Sequence, residues 1–337
     1  MLSRSSLRCI TRAANCQFKS IAAFHSSGKT SHENPLGLPR HLKNSAKLSR
    51  DGSAGAPPTG TVRPGGAMGR GLPIKQKIPG VKKIILVSSA KGGVGKSTVS
   101  VNLAAAIKQL GHTVGLLDAD IFGPSVPQLL SLSGEPRLSS TGKLIPLSNY
   151  GIESMSMGYL IPSENSPIAW RGLMVMKALQ QLLFEVDWSH GGVAGSSLDY
   201  LVIDMPPGTG DTQLTISQQL KVDGAVIVST PQDIALIDAI KGIAMFQKVS
   251  IPLLGMVQNM SYFSCPNCHH DTHIFGSEGV QREAKNHNLT VLGSIPLQED
   301  ICRQSDRGKP VVISHEGLPL AEPYMNVARN VLAKLEK

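Results

Sequence analysis

Lys91-Gly-Gly-Val-Gly-Lys-Ser-Thr98 follows the apolar run Ile84-Ile-Leu-Val87 and opens a helix-like segment, Val99 to Leu110. Strand, glycine-rich turn and helix in that order are what a phosphate-binding loop requires. The glycines let the backbone curl so that successive N–H groups point at phosphate oxygens, and the helix adds its positive N-terminal end. Lys96 can reach the β- and γ-phosphates, and the Ser97 hydroxyl can sit on Mg²⁺. Gly92, Gly93, Val94, Gly95, Lys96, Ser97 and Thr98 are therefore read as the ATP-contacting set.

Outward from this loop, apolar runs alternate with helix-like segments. Ile84–Val87, Val114–Leu117, Tyr200–Ile203, Ala225–Val228, Leu253–Val257 and Val291–Ile295 read as buried strands. Segments 99–110, 174–184, 213–220, 234–246, 278–286 and 321–335 read as helices. Right-handed β-α-β crossovers then give an α/β fold: a doubly wound, mostly parallel sheet with helices on both faces. In such sheets ligands sit at the carboxyl ends of the strands, and the motifs below fall there. A hydrophobic content of 41%, only 4% aromatic residues and 34 glycines suit that class better than an all-β one. No stretch reaches the ~20 apolar residues of a membrane span.

The formal charge of +9 is unevenly spread. Residues 1–80 carry 13 Lys+Arg against 2 Asp+Glu, whereas 81–337 carry 20 against 22. The body, at −2, offers no basic surface for nucleic acid. Residues 1–30 hold Arg4, Arg8, Arg12, Lys19 and Lys29, many serines and no acid. That is the pattern of a mitochondrial transit peptide; plastid targeting and a plain basic tail are the rival readings. Residues 31–80, rich in Gly, Pro and Ser, read as a flexible linker, and 81–337 as a P-loop ATPase domain.

Three carboxylates stand at strand ends. Asp118 and Asp120 follow Val114–Leu117, and Asp204 closes Leu198-Asp-Tyr-Leu-Val-Ile-Asp204. Metal-assisted phosphate hydrolysis needs an acceptor for the attacking water and ligands for Mg²⁺. Asp204 has the position of the Mg²⁺-holding carboxylate. Pro206, Pro207, Gly208 and Gly210 make a loop able to rearrange around a γ-phosphate, and Asp211 is expected to cap the next helix. A plainer role for Asp120 is to cap the turn before Pro124.

Cys265-Pro-Asn-Cys268 offers two thiolates to a soft metal centre, half of a four-ligand set. A symmetric dimer would bring two such pairs together. A bridging [4Fe–4S] cluster fits; zinc, with His269, His270 and His273 nearby, remains open, and so do purely structural thiols. Cys302 stands alone and is expected to be a small buried residue.

Lys91 occupies the place where G-x-x-x-x-G-K-[ST] has its first glycine. In this the chain resembles the deviant Walker A ATPases, among them Mrp-like, MinD/ParA-like and nitrogenase-reductase-like proteins. Asp120-Ile-Phe-Gly-Pro-Ser125 and Asp204-Met-Pro-Pro-Gly-Thr-Gly-Asp211 look like the Mrp type in particular. Trp170-Arg-Gly-Leu-Met-Val-Met176 resembles its mitochondrial NUBPL-like subgroup of iron–sulfur proteins, which serve respiratory complex I assembly. Two departures from the pattern are Leu173, where most members have proline, and an apparent Ser/Gly-rich insert at 189–197 after Trp188. The resemblance implies that Lys91 reaches ATP bound by a partner subunit, that Asp120 positions or deprotonates water, and that Asp118 supports the Mg²⁺ shell or the loop. It implies adenine contacts from Asn259 and Pro296, and weak ATP hydrolysis with Lys91, Lys96 and Asp120 as the catalytic set. It further implies a homodimer that carries a [4Fe–4S] cluster, received from upstream donors, to apo-proteins of the mitochondrial matrix, complex I subunits among them. The rival functions are a MinD/ParA-like positioning ATPase, a nitrogenase-reductase-like electron-transfer ATPase and a zinc-stapled dimer without transfer. A positioning ATPase would need a basic, strongly amphipathic C-terminal helix.

Overall fold

The computed structural model describes residues 75–160, 172–189, 196–268 and 270–336. The expected transit peptide, nearly all of the linker, Trp170, most of the 189–197 insert and His269 lie outside these. In chain order the elements are β1 (Val81–Ser88), α1 (Lys96–Gln109), β2 (Val114–Asp118), α2 (Val126–Leu129), β3 (Leu147–Asn149), β4 (Ile152–Ser156) and α3 (Gly172–Phe184). Then come β5 (Leu198–Asp204), α4 (Asp211–Gln219), β6 (Gly224–Ser229), α5 (Asp233–Lys248), β7 (Leu253–Gln258), β8 (Phe263–Ser264) and β9 (Asp271–Thr272). The chain closes with α6 (Gly279–Asn286), β10 (Val291–Ser294), α7 (Glu299–Asp306), α8 (Val311–Ser314) and α9 (Glu322–Leu335).

Eight strands form one sheet in the order β10-β7-β6-β1-β5-β2-β4-β3. All neighbours run parallel except β3, which pairs antiparallel with β4 at the edge. β1 lies between β5 and β6, so Val87 is level with Asp204, and Asp204 in turn with Asp118 on β2. That register puts three strand ends on one line at the carboxyl edge. Alternate side chains of the central strands feed two cores. Leu86, Leu117, Ile203 and Ile227 face one side with α3 and α5, while Ile85, Val87, Val202 and Val228 face the other with α1 and α9. Continuous apolar runs follow, because both faces are covered.

Val327, Val331 and Leu335 make an apolar stripe along α9, the face that a membrane-binding C-terminal helix of a positioning ATPase would leave uncovered. Val327 and Val331 are buried within the α1-side core, so the apolar face of this helix is covered within the chain. No described helix is long and apolar enough to cross a membrane.

β3 and β4 were not expected. β4 reads Ile152-Glu-Ser-Met-Ser156, too polar for a buried strand on composition, yet all five residues are buried. Its serines are satisfied: Ser154 Oγ lies 2.9 Å from the Tyr159 hydroxyl, and Ser156 donates to Asp118. Trp188 is wholly buried against Gly115, where a Cβ would come within 2.9 Å of the indole. α3 splits its methionines: Met174 is exposed and Met176 packs on the core.

Candidate functional site: a phosphate loop beside a cysteine hairpin

The loop from Ser89 to Gly95 links β1 to α1 without a side-chain cap. Gly93 and Gly95 have φ of +82° and +83°, conformations that cost an L side chain energy. A Cβ at Gly92 or Gly93 would meet nothing within 4 Å, so this part of the loop faces open space. Gly95 differs. A Cβ there would lie 2.2 Å from Asn259 Nδ2, because that amide donates to the Val94 carbonyl at 2.8 Å.

Beneath the loop is a compact charged network. The Lys96 ammonium sits 2.6 Å from Asp204 Oδ1 and donates to Ser97 Oγ at 3.2 Å. Ser97 donates to Asp204 Oδ2 at 2.6 Å and Ser100 to Asp204 Oδ1 at 2.7 Å. Asp204 is fully buried, and these three partners offset the cost of burying its charge. Ser100 was not singled out in the sequence, although its spacing of four from Lys96 places both on one face of α1.

Asp118 and Asp120 prove different. Asp118 is buried and accepts from the N–H groups of Asp120, Ser125 and Val126 and from Ser156 Oγ, at 3.1–3.2 Å. It holds the loop Ile121–Ser125 and the start of α2, while Asp120 accepts from the Phe122 and Gly123 N–H groups and so also caps the turn before Pro124. Burial, and then the neighbouring Asp204 carboxylate, push the Asp118 carboxyl up, against the Val126 N–H and Lys96. Asp120 instead lines the cleft. Burial raises its pKa, while Lys96 and the Gly123 N–H oppose the rise. A carboxylate with a raised pKa is a better proton acceptor. Asp211 does not cap: Gly210 holds the N-cap position of α4 and no side chain caps it, so Asp211 acts only as a charge in the first turn. The Pro206 carbonyl is held instead by the buried Gln213 amide.

The cleft encloses about 560 Å³, inside the range of small-molecule sites. Gly92, Gly93, Gly95, Lys96, Ser97 and Thr98 line it together with Asp120, Asn259 and Pro296, Asn259 packing against the loop at Gly95. Val94, Asp118 and Asp204 lie behind this lining, and Lys91 does not line the cleft of its own chain. Further lining, unforeseen, comes from α7, with Ile301, Cys302 and Ser305. Cys302 is thus exposed in the cleft, not buried as expected. No apolar period marked α7 as covering the site. A larger hollow of about 840 Å³ between β10 and α9 has Glu322 as its only charged lining residue. It offers no cation to a phosphate.

From Asn259 the chain runs directly to the cysteines. β8 and β9 pair as a short hairpin, closed by Cys265 N–H donating to the His270 carbonyl at 3.0 Å. Cys265-Pro-Asn-Cys268 is its tip, and both thiols are free. The N–H groups of Cys268 and Asn267 point at the Cys265 sulphur and lower its pKa, which favours the thiolate that metals bind. His273 turns inward to the Ser261 carbonyl at 3.1 Å. Among the described residues no group of three or more His, Cys, Asp or Glu could hold a metal ion. Two thiols are half of a four-ligand set.

The family described as "ParA: NUBPL iron-transfer P-loop NTPase" matches residues 80–332. The chain belongs to this family. A mouse (Mus musculus) protein named iron-sulfur cluster transfer protein NUBPL is 53% identical over 271 residues, 80% of this chain and 82% of its own length. An Arabidopsis thaliana protein named iron-sulfur protein required for NADH dehydrogenase, mitochondrial, is 49% identical over 262 residues, covering 77% and 81%. Among solved structures, a nucleotide-binding protein from Archaeoglobus fulgidus in complex with ADP superposes with a TM-score of 0.59 at 38% identity, covering 68% of this chain and 87% of that one. The mostly parallel sheet is thus that of the P-loop NTPases.

Proposed function

We propose that this protein is a mitochondrial, ATP-dependent carrier of iron–sulfur clusters that works as a homodimer. The Cys265–Cys268 hairpin carries the reading: two thiols per chain, presented at a tip and joined to a nucleotide cleft by the four residues Ser261 to Ser264. Two chains supply four thiolates, the complement of a [4Fe–4S] cargo. The soft sulphur donors favour such a cargo over hard cations. The names borne by the mouse and Arabidopsis relatives support cluster transfer, the mitochondrion and complex I clients. The matrix as compartment, and upstream donors of the cluster, follow from the same reading.

ATP suits the loop. The open space at Gly92 and Gly93 is a cradle for phosphate oxygens, and Lys96 is placed to exchange Asp204 for a phosphate. Ser97 and Asp204 converge as hard oxygen donors of the kind Mg²⁺ takes. A bound Mg²⁺ would neutralise charge developing on the phosphates. Asp120 would then accept the proton of an attacking water, and Lys91, which does not line the cleft of its own chain, would serve the nucleotide of the other subunit. Asn259 and Pro296 would contact the adenine base, with α7 lining the same cleft.

The test is anaerobic reconstitution with iron and sulfide, followed by metal analysis and native mass spectrometry. About one four-iron cluster per two chains is expected. Cys265→Ala or Cys268→Ala loses the cluster and keeps nucleotide binding. A monomer with a complete cluster, full iron in either variant, or zinc in place of iron overturns the reading.

A further inference from the structure

We infer that Asn259 is the strut through which nucleotide occupancy of the phosphate loop reaches the Cys265–Cys268 hairpin. This deepens the carrier reading, which needs the two sites to communicate. At one end, the Asn259 amide donates to the Val94 carbonyl across 165 residues of sequence and fills the space beside Gly95. Asn259 is buried, and its own N–H donates to the Ser229 carbonyl at 2.8 Å, so the strut has a fixed base. At the other end there is little slack before the cysteines. Ser261 donates to the Ile295 carbonyl from both N–H and Oγ, at 2.9 Å each. The Tyr262 carbonyl accepts from Leu297 N–H at 2.7 Å. Phe263 and Ser264 are paired in the hairpin, which His273 ties back to Ser261.

A segment so fastened moves as a unit or not at all. The loop that must adjust its N–H groups around phosphates is the one whose Val94 carbonyl holds Asn259. Any shift of Val94 or Gly95 therefore pushes on Asn259, and through Met260 and Ser261 on Cys265. Asn259 acts on the cargo site by position, without touching it.

The experiment labels the full chain, free of cluster, with iodoacetamide, with and without a non-hydrolysable ATP analogue and Mg²⁺ at saturation for each variant. Peptide mass spectrometry reads Cys265 and Cys268 apart from Cys9, Cys16 and Cys302. In the unaltered protein the analogue is expected to change the labelling rate of the pair by about two- to tenfold, the size one neutral hydrogen bond can transmit. Because Asn259 also lines the cleft, the Asn259→Ala affinity is measured first and the analogue is used at a concentration that saturates that variant; the ratio then falls to near one. His273→Ala, a change at an exposed residue, lowers the ratio as well and serves if Asn259→Ala fails to fold. A residue with a merely structural role would alter both rates alike and leave their ratio intact. An unchanged ratio in Asn259→Ala, or in His273→Ala where the first variant does not fold, overturns the inference, as does the absence of any nucleotide effect in the unaltered protein. Failure of the carrier reading shows separately, as absent iron uptake with the labelling ratio preserved.

Discussion

Gly95→Ala tests the joint between loop and strut. Two costs add. A side chain at φ +83° costs about 1–2 kcal/mol. The new Cβ would lie 2.2 Å from Asn259 Nδ2, a distance no folded protein tolerates, so the amide must move and its bond to Val94 is lost. That adds about 0.5–1.5 kcal/mol. The expected loss is about 1.5–3.5 kcal/mol from a total of about 5–15. Gly93→Ala is the built-in comparison: φ is +82°, and nothing lies within 4 Å of the added Cβ. It should cost the backbone part alone, about 1–2 kcal/mol. Urea unfolding without nucleotide or Mg²⁺ measures both, since bound ligand would add stability of its own. The double variant Gly95→Ala/Asn259→Ala closes a cycle. With the amide gone, the Gly95 change should fall to the Gly93 value, giving a coupling of about 0.5–1.5 kcal/mol. Equal losses for Gly93→Ala and Gly95→Ala, or an additive cycle, would refute the packing of Asn259 on the loop.

Two other outcomes follow from the same network. Lys96→Ala removes a charge-assisted contact to phosphate and should weaken ATP binding by about 10- to 100-fold; it also strands the buried Asp204 carboxylate, so stability drops and Lys96→Ala/Asp204→Asn regains part of it. Lys91→Ala should leave affinity nearly unchanged and lower turnover by about 100-fold, in line with a donor used as charge develops, and equal affinity losses in the two lysine variants would contradict the separate roles. Far from the cleft, burial acts against the Asp199 charge, but Lys82 at 2.8 Å and the Thr113 N–H and hydroxyl hold its carboxyl down to about 2. A depressed carboxyl contributes stability above its unfolded pKa near 4 and loses it as pH falls toward 2. Asp199→Asn should therefore cost about 1 kcal/mol at pH 7 after allowance for solvent screening, and nothing near pH 2, as read from urea midpoints across that window.

The phosphate loop was legible because its chemistry is local. Glycines that permit positive φ, a lysine and a serine must stand at set spacings between a strand and a helix, and a chain cannot hide that order. The cysteine pair was legible for the same reason, since two ligands three apart make their own turn. The central strands showed as apolar runs because the sheet is covered on both faces. By contrast, β4 and α7 lacked any such mark. β4 buries Ser154 and Ser156 by giving each a hydroxyl or carboxylate partner, and those partners, Tyr159 and Asp118, are not visible as partners in a linear text.

Sequence alone settled the family of chemistry: a nucleotide loop, carboxylates at strand ends and a thiol pair at a tip. The tertiary structure decided which group does what. Asp118 and Asp120 are the same residue type two positions apart, and only the pleat and the fold of Ile121–Ser125 put one under the loop and the other in the cleft. Cys302 read as a core residue until α7 was seen to cover the site. Asn259 meets Val94 because β7 and β1 are held in one sheet with β6 between them. Contacts between residues 165 positions apart depend on strand order and register, and these arise from the summed packing of the whole chain, not from any stretch of it.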